Sequence, residues 1–168
     1  LNRWIRRRTD DTGYGVVTSC AAREVYSLFK QEIVVRFGEC DGLGHVNNTT
    51  YFTYMEHARI DVFRLFNPTL SVAAWNLIAA STRCDFLQQA TYAQTLTIYT
   101  WIGRIGNRSF DVEHAIQAED GSWVARGQAT LVTFDYTRNA SRPLSDEERR
   151  ALEGHCQAPA NVPDLHAR

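Results

Sequence analysis

The stretch ECDGLGHVNNTTYFTYMEHAR runs from Glu39 to Arg59. Its first half has the chemistry of a turn: an acid, two glycines, a histidine and two asparagines. Its second half is helical. Tyr51, Met55, Ala58, and beyond the stretch Val62 and Phe66, recur at steps of three and four residues. Asn47 or Asn48 suits the N-cap, because an amide oxygen there accepts from the first free backbone N–H groups. Pro68 ends the helix by disfavouring a helical Asn67. Phe52, Ile60, Phe63 and Leu65 widen the apolar stripe. The spacing therefore predicts one long helix from Thr49 to Phe66, covered on most sides.

The flanking sequence reads as strands. Ile33, Val35 and Phe37 alternate with Val34 and Arg36 before the glycines. After the helix, LIAASTRCDFL (77–87) predicts a strand. QTLTIYTWIGR (94–104) and RSFDVEHAIQ (108–117) alternate around an IGN turn at 105–107. An Asp-Gly turn at 120–121 leads into WVARGQATLVTFDY (123–136), rich in β-branched and aromatic residues. SDEE (145–148) has the form of a capping box opening a short C-terminal helix. AAREVYSLFKQE (21–32) reads as a short helix. The order is strand, long helix, then four antiparallel strands. An α+β architecture follows, an antiparallel sheet of about five strands wrapped around one central helix. The chain divides into an N-terminal extension (1–31), a single domain (32–155) and a loose tail (156–168).

Composition narrows the function classes. The 168 residues are 44% hydrophobic and 22% charged, with a net charge of -1. Nothing global draws such a chain to nucleic acid or to a membrane surface. No apolar run is long enough to span a bilayer. Lys30 is the only lysine among 18 basic residues, and the rest are arginines, suited to fixed contacts with phosphate or carboxylate. Cysteines 20, 40, 84 and 156 have no metal-ligand spacing, and free thiols in the cytoplasm are expected. The basic opening LNRWIRRR leaves organellar targeting open. No metal is expected, since His57, His114, His155 and His166 form no ligand spacing.

The chemistry concentrates in the opening stretch. Asp41 lies in a glycine turn just before a helix whose first N–H groups carry partial positive charge. An acid beside such amides supplies a base or nucleophile together with a stabiliser for an oxyanion. His45 is four residues on, placed to orient a carbonyl or share a proton. The amides of Asn47 and Asn48 suit the positioning of water or polar substrate groups.

Glu39, Asp41, Gly44, His45, Val46, Asn47, Asn48, Tyr51, Glu56, Ala58 and Arg59 together resemble the signature of hotdog-fold acyl-CoA thioesterases related to 4-hydroxybenzoyl-CoA thioesterase. The His45–Asn48 piece is also similar to plant acyl-carrier-protein thioesterases. The resemblance extends over about residues 32–150. It implies a hotdog fold, an acyl-CoA substrate whose coenzyme A is no separate cofactor, and a homodimer or homotetramer with sites between subunits. It implies that Asp41 is catalytic, as general base or as nucleophile, and that the Asn48 backbone N–H holds the oxyanion. It also sets Arg104, Arg108 and Ser109 near the coenzyme A and makes Tyr51 a candidate for the acyl pocket. Glu56 and Arg59, spaced i, i+3, read as a structural ion pair at a subunit interface. The sequence departs from the pattern at Glu39, where the family has Asp, and at Leu43, where the plant enzymes have Asn. The rival readings are an acyl-CoA or acyl-carrier binding hotdog protein without turnover, and an enoyl-CoA hydratase.

Overall fold

The computed structural model describes residues 28–166. Six strands and three α-helices follow one another as β1 (Phe29–Val34), α1 (Asn48–Ala58), α2 (Ile60–Phe66), β2 (Leu77–Phe86), β3 (Thr95–Ile105), β4 (Ser109–Ala118), β5 (Trp123–Asp135), β6 (Ala140–Ser141) and α3 (Asp146–Glu153). The sheet order is β1-β3-β4-β5-β2, with the short β6 on β5, and every pairing is antiparallel. The helical arm α1–α2 lies on one face. This is the wrapped-helix architecture that the patterning predicts, and the Ser145–Glu148 capping box opens α3 as expected.

Alternation assigns the two faces. On β3, Leu96, Ile98 and Ile102 are buried against the helices; on β4, Phe110, Val112 and Ile116 are. The core divides in two. Tyr51, Tyr54, Met55 and Ala58 of α1 pack with Leu96, Ile98, Ile116 and Ala125. Val62 of α2 packs with Ile102, Phe110, Val112, Leu131 and Leu152. The row between the clusters is polar. Thr100 pairs in register with His114, and His114 with Gly127. A Cβ on Gly127 would sit 2.0 Å from Met55 Sδ, so its absence is what lets α1 lie down on β5.

Several features depart from the sequence reading. The predicted long helix is present over 48–66; its one irregularity is at Arg59 (ψ -8), which separates α1 from α2 and whose N–H is shared between Met55 O and Glu56 O at 3.2 Å each. Thr53, Glu56 and His57 are exposed, so one side of α1 stays open in the protomer. The short helix expected at 21–32 lies outside the described residues up to 27, and from Phe29 the chain is strand β1, paired with β3. The tail expected to be loose is tied across the outer face of the sheet. Pro163 O accepts from Arg126 Nε at 3.1 Å, and His166 N–H donates to Asp85 Oδ2 at 2.8 Å. Cys40 and Cys84 are free thiols, as expected of those two.

Candidate active site

The loop between β1 and α1 folds on itself. Cys40 and Val46 form an antiparallel bridge, and Asp41 N–H donates to His45 O at 2.8 Å. Gly44 N–H returns to Asp41 O at 3.0 Å, with Gly44 at φ 82, a conformation that a side chain would strain. Asp41 Oδ1 accepts the Leu43 N–H at 2.8 Å, an Asx turn. The Asp41 carboxylate therefore stands exposed at the base of a rigid turn with one oxygen free of that bond. His45 is half-buried and bridges Thr91. Val46 N–H on Ala90 O (2.8 Å) pins the far side of the loop.

Glu39 ties this loop to the helix. Its backbone carbonyl accepts Asn47 N–H at 2.9 Å, and its carboxylate accepts both Arg36 N–H and the Tyr54 hydroxyl at 2.7 Å. Burial, and then the bond to Glu39, hold the Tyr54 hydroxyl pKa well above its ordinary value. Sequence reasoning had no signal for this tie, because Glu39 and Tyr54 meet only once the loop has turned.

At the helix mouth the cap is Asn47, one of the two candidates. Its Oδ1 accepts Thr49 N–H (2.9 Å) and the Thr49 hydroxyl (2.8 Å), and its carbonyl accepts Thr50 N–H (2.9 Å). The exposed Asn48 contributes the first helical N–H, which has no acceptor among the described residues and carries the positive end of the helix dipole. The loop thus brings Asp41, His45, Asn47 and Asn48 into one short segment at the start of α1.

The other candidates lie elsewhere. Tyr51 is buried in the core, edge-on to Phe86 at 5.4 Å and to Tyr54 at 6.2 Å, and burial pushes its hydroxyl up to about 12. Arg104 and Arg108 flank the β3–β4 turn. Arg104 pairs with Asp111 at 3.0 Å, Arg108 reaches the Ser141 carbonyl, and Ser109 O accepts Gly106 N–H at 2.8 Å. The Asp41 loop contacts the chain just before β3 starts, whereas this turn follows its end. The 11 residues of β3, roughly 35 Å of extended chain, run between the two within a protomer. Glu56 and Arg59, expected to pair, form no ion pair among the described residues. Arg59 is 6% exposed, and its Nε and Nη1 have no hydrogen-bond partner there.

Three hollows follow the open side of α1. One of 760 Å³ lies between β1 and α1 and is lined by Glu39, Thr53, Tyr54 and His57. A second, of 400 Å³, shares Thr53 and His57 with it. A third, of 230 Å³, shares Glu56, Phe63 and Trp75 with the second and includes Arg59. Among the described residues no three His, Cys, Asp or Glu side chains gather as a metal site requires, and no helix is long and apolar enough to cross a membrane.

The fold has counterparts among solved structures. The structure of a predicted thioesterase from Bacillus stearothermophilus superposes with a TM-score of 0.76 at 34% identity, covering 80% of this chain and 100% of that one. A Thermus thermophilus thioesterase solved with coenzyme A and Zn matches with a TM-score of 0.66 at 28% identity, over 73% of this chain and 95% of that one. In sequence, the long-chain acyl-CoA thioesterase FadM of Escherichia coli is 26% identical over 125 residues, 73% of this chain and 95% of FadM. Residues 35–163 match the model of the thioesterase-like superfamily. The chain therefore belongs to the thioesterase-like superfamily, as a hotdog-fold thioester hydrolase.

Proposed function

We propose that the protein hydrolyses acyl-CoA thioesters, with Asp41 and the Asn48 amide as the reacting pair. The observation that carries this reading is their adjacency. The turn that carries the exposed Asp41 carboxylate is tied to the start of α1 by Asn47 N–H on Glu39 O, and the next N–H, that of Asn48, lacks an acceptor among the described residues. Either Asp41 takes a proton from water as the water attacks the thioester carbon, or its carboxylate attacks and water then cleaves the mixed anhydride. In both routes the carbonyl oxygen gains negative charge. The Asn48 N–H, fixed by the Asn47 cap, donates to it. The C–S bond breaks and coenzyme A leaves as a thiolate. His45, held beside Asp41 by the loop backbone, orients the carbonyl or the acid.

The coenzyme A phosphates call for arginines, and Arg104 and Arg108 are too far from Asp41 within one protomer. A second copy resolves this. β2 is an edge strand of 10 residues, paired with β5 alone and exposed over most of its length. Antiparallel pairing of β2 with its own copy about a two-fold axis inverts the second sheet, so the partner's β3–β4 turn comes to the end that carries the Asp41 loop. The proposed unit is therefore a homodimer with two composite sites.

The test is thiol release from a panel of acyl-CoAs, short to long chain plus aromatic. Turnover of one class by the wild type, lost in Asp41→Asn, supports the proposal. A raised melting temperature with acyl-CoA and no thiol release would instead indicate a binding protein. Loss of enoyl absorbance without thiol would indicate a hydratase.

A further inference from the structure

From Glu39 to Asn47 the chain forms a short antiparallel ladder. Glu39 O accepts Asn47 N–H at 2.9 Å, Cys40 bridges Val46, and Asp41 N–H donates to His45 O at 2.8 Å. Asp41 stands toward the closed end of this ladder, and Asn47, at its open end, caps α1. Val46 N–H on Ala90 O and the His45–Thr91 bridge fasten the ladder to the chain before β3. Its tilt against the helix is a separate matter. That tilt decides how far the Asp41 carboxylate stands from the Asn48 N–H.

Glu39 is where the ladder grips the helix. Its Oε2 accepts the Tyr54 hydroxyl and Arg36 N–H, each at 2.7 Å, and its carbonyl accepts the Thr50 hydroxyl at 3.4 Å as well as Asn47 N–H. Tyr54 lies about two turns into α1 and is buried. Burial first, then the bond to Glu39, raise its pKa, so the hydroxyl stays protonated and donates to the carboxylate. The Tyr54 ring is itself held, edge-on to Tyr51 at 6.2 Å within the α1 core cluster. One side chain therefore joins the turn at Arg36, the ladder and the body of the helix. The span needs the length of a glutamate. An aspartate, one methylene shorter, keeps at most the local bond to Arg36 N–H. This is the position at which the chain has Glu where the family signature has Asp.

We propose that Glu39 and Tyr54 are positioning residues for the hydrolysis, their bond setting the place of the Asp41 carboxylate relative to the Asn48 N–H. The proposal rests on the hydrolase reading above and deepens it. A base on one element and an oxyanion donor on another serve one thioester carbonyl only when the two elements are held in register. A displacement of about 1 Å is enough to cost on the order of 100-fold in rate. The competing reading makes Glu39 a second acid in the chemistry. Positioning is favoured because its carboxylate is already engaged by two donors of its own protomer.

The experiment measures thiol release from the acyl-CoA that wild type turns over best, well below the melting temperature, for Tyr54→Phe, Glu39→Asp, Glu39→Gln and the double variant Tyr54→Phe, Glu39→Asp. Tyr54→Phe and Glu39→Asp are each expected to lower kcat by about 10-fold or more while KM stays within about 2-fold of wild type. The double variant is expected to fall no further than the worse single one, since both remove the same bond. Glu39→Gln is expected to retain most of the activity with an unchanged pH profile, because its amide oxygen accepts both donors as Oε2 does. A Glu39→Gln loss as large as that of Glu39→Asp would overturn positioning in favour of an acid. Wild-type kcat in Tyr54→Phe and Glu39→Asp, with only the melting temperature lowered, would confine the bond to the fold and overturn the proposal. A raised KM at constant kcat would overturn it in favour of substrate binding. If Tyr54→Phe does not fold, the contrast between Glu39→Asp and Glu39→Gln decides alone. If wild type releases no thiol from any acyl-CoA, the hydrolase reading fails and the positioning role falls with it; turnover that is indifferent to the bond overturns the positioning role only.

Discussion

Asp41 and His114 are both titratable residues at key positions, and the structure gives them opposite environments. The Asp41 side chain is exposed and makes one bond, to Leu43 N–H, which an asparagine amide oxygen also accepts. Asp41→Asn is therefore expected to lower kcat by at least about 100-fold, the usual contribution of a general base, while leaving the melting temperature close to wild type. A large fall in melting temperature would show that Asp41 serves the fold instead. His114 is fully buried. Burial first, then the positive charges of Arg59 and Arg126, hold its pKa well below the ordinary 6.5. The folded chain thus keeps this imidazole neutral at pH values where the unfolded chain protonates it. Stability from this site is full above about pH 6.5 and falls by about 1.4 kcal/mol per pH unit as acid is added below that, until the folded pKa is reached. Denaturant unfolding at pH 7 and pH 5 checks this. His114→Phe is expected to flatten the acid dependence, whatever its effect on stability at pH 7, and an unchanged slope would rule the site out as its cause.

The elements themselves are legible in the sequence wherever one period is enough to define them. Leu96–Ile102, Phe110–Ile116 and the Tyr51–Phe66 series gave strands and helix at nearly their observed limits, because alternation and the 3.6-residue repeat are local. The Asp41–Asn48 segment was equally legible, since its residues are neighbours in sequence. Features set by distant partners were not. Nothing local announces that Glu39 meets Tyr54, that Arg59 is buried without an ion pair to Glu56, or that Pro163 is held by Arg126. The approach of α1 to the sheet belongs to the same class. It depends on Gly127, which in the sequence is only a glycine inside a strand. A Cβ there meets Met55 Sδ at 2.0 Å and the Arg83 carbonyl oxygen at 3.2 Å. Gly127→Val is expected to destabilise the fold by about 2–3 kcal/mol through overpacking against the helix, read as a lower denaturant midpoint. A neutral result would mean that α1 lifts from β5 without cost. The cap is a second test at this scale. Asn47→Ala removes the acceptor for Thr49 N–H and is expected to cost about 1 kcal/mol. If the Asn48 amide holds the oxyanion, kcat falls with it while KM changes little.

At the scale of the whole molecule, the acid and the arginines of the proposed site lie apart in the protomer. The Asp41 loop and the Arg104–Arg108 turn stand at opposite ends of β3, while the exposed edge of β2 and the open side of α1 remain to be covered. The proposed two-fold pairing through β2 would account for all three, because each composite site would then take its acid from one chain and its arginines from the other. The arrangement predicts complementation. Asp41→Asn is inactive for want of the acid, and the double variant Arg104→Ala, Arg108→Ala is weakened for want of phosphate contacts. When the two are unfolded together and refolded as a mixture, half of the dimers are mixed, and each mixed dimer holds one site with both parts intact. Activity is then expected to recover to about a quarter of wild type, measured as thiol release at limiting acyl-CoA. If acid and arginines served the same site from a single chain, every mixed dimer would contain two damaged sites and the mixture would be no more active than its parents. A mixture that stays at the parental level while sedimenting as a dimer would therefore reject the composite site without rejecting the dimer.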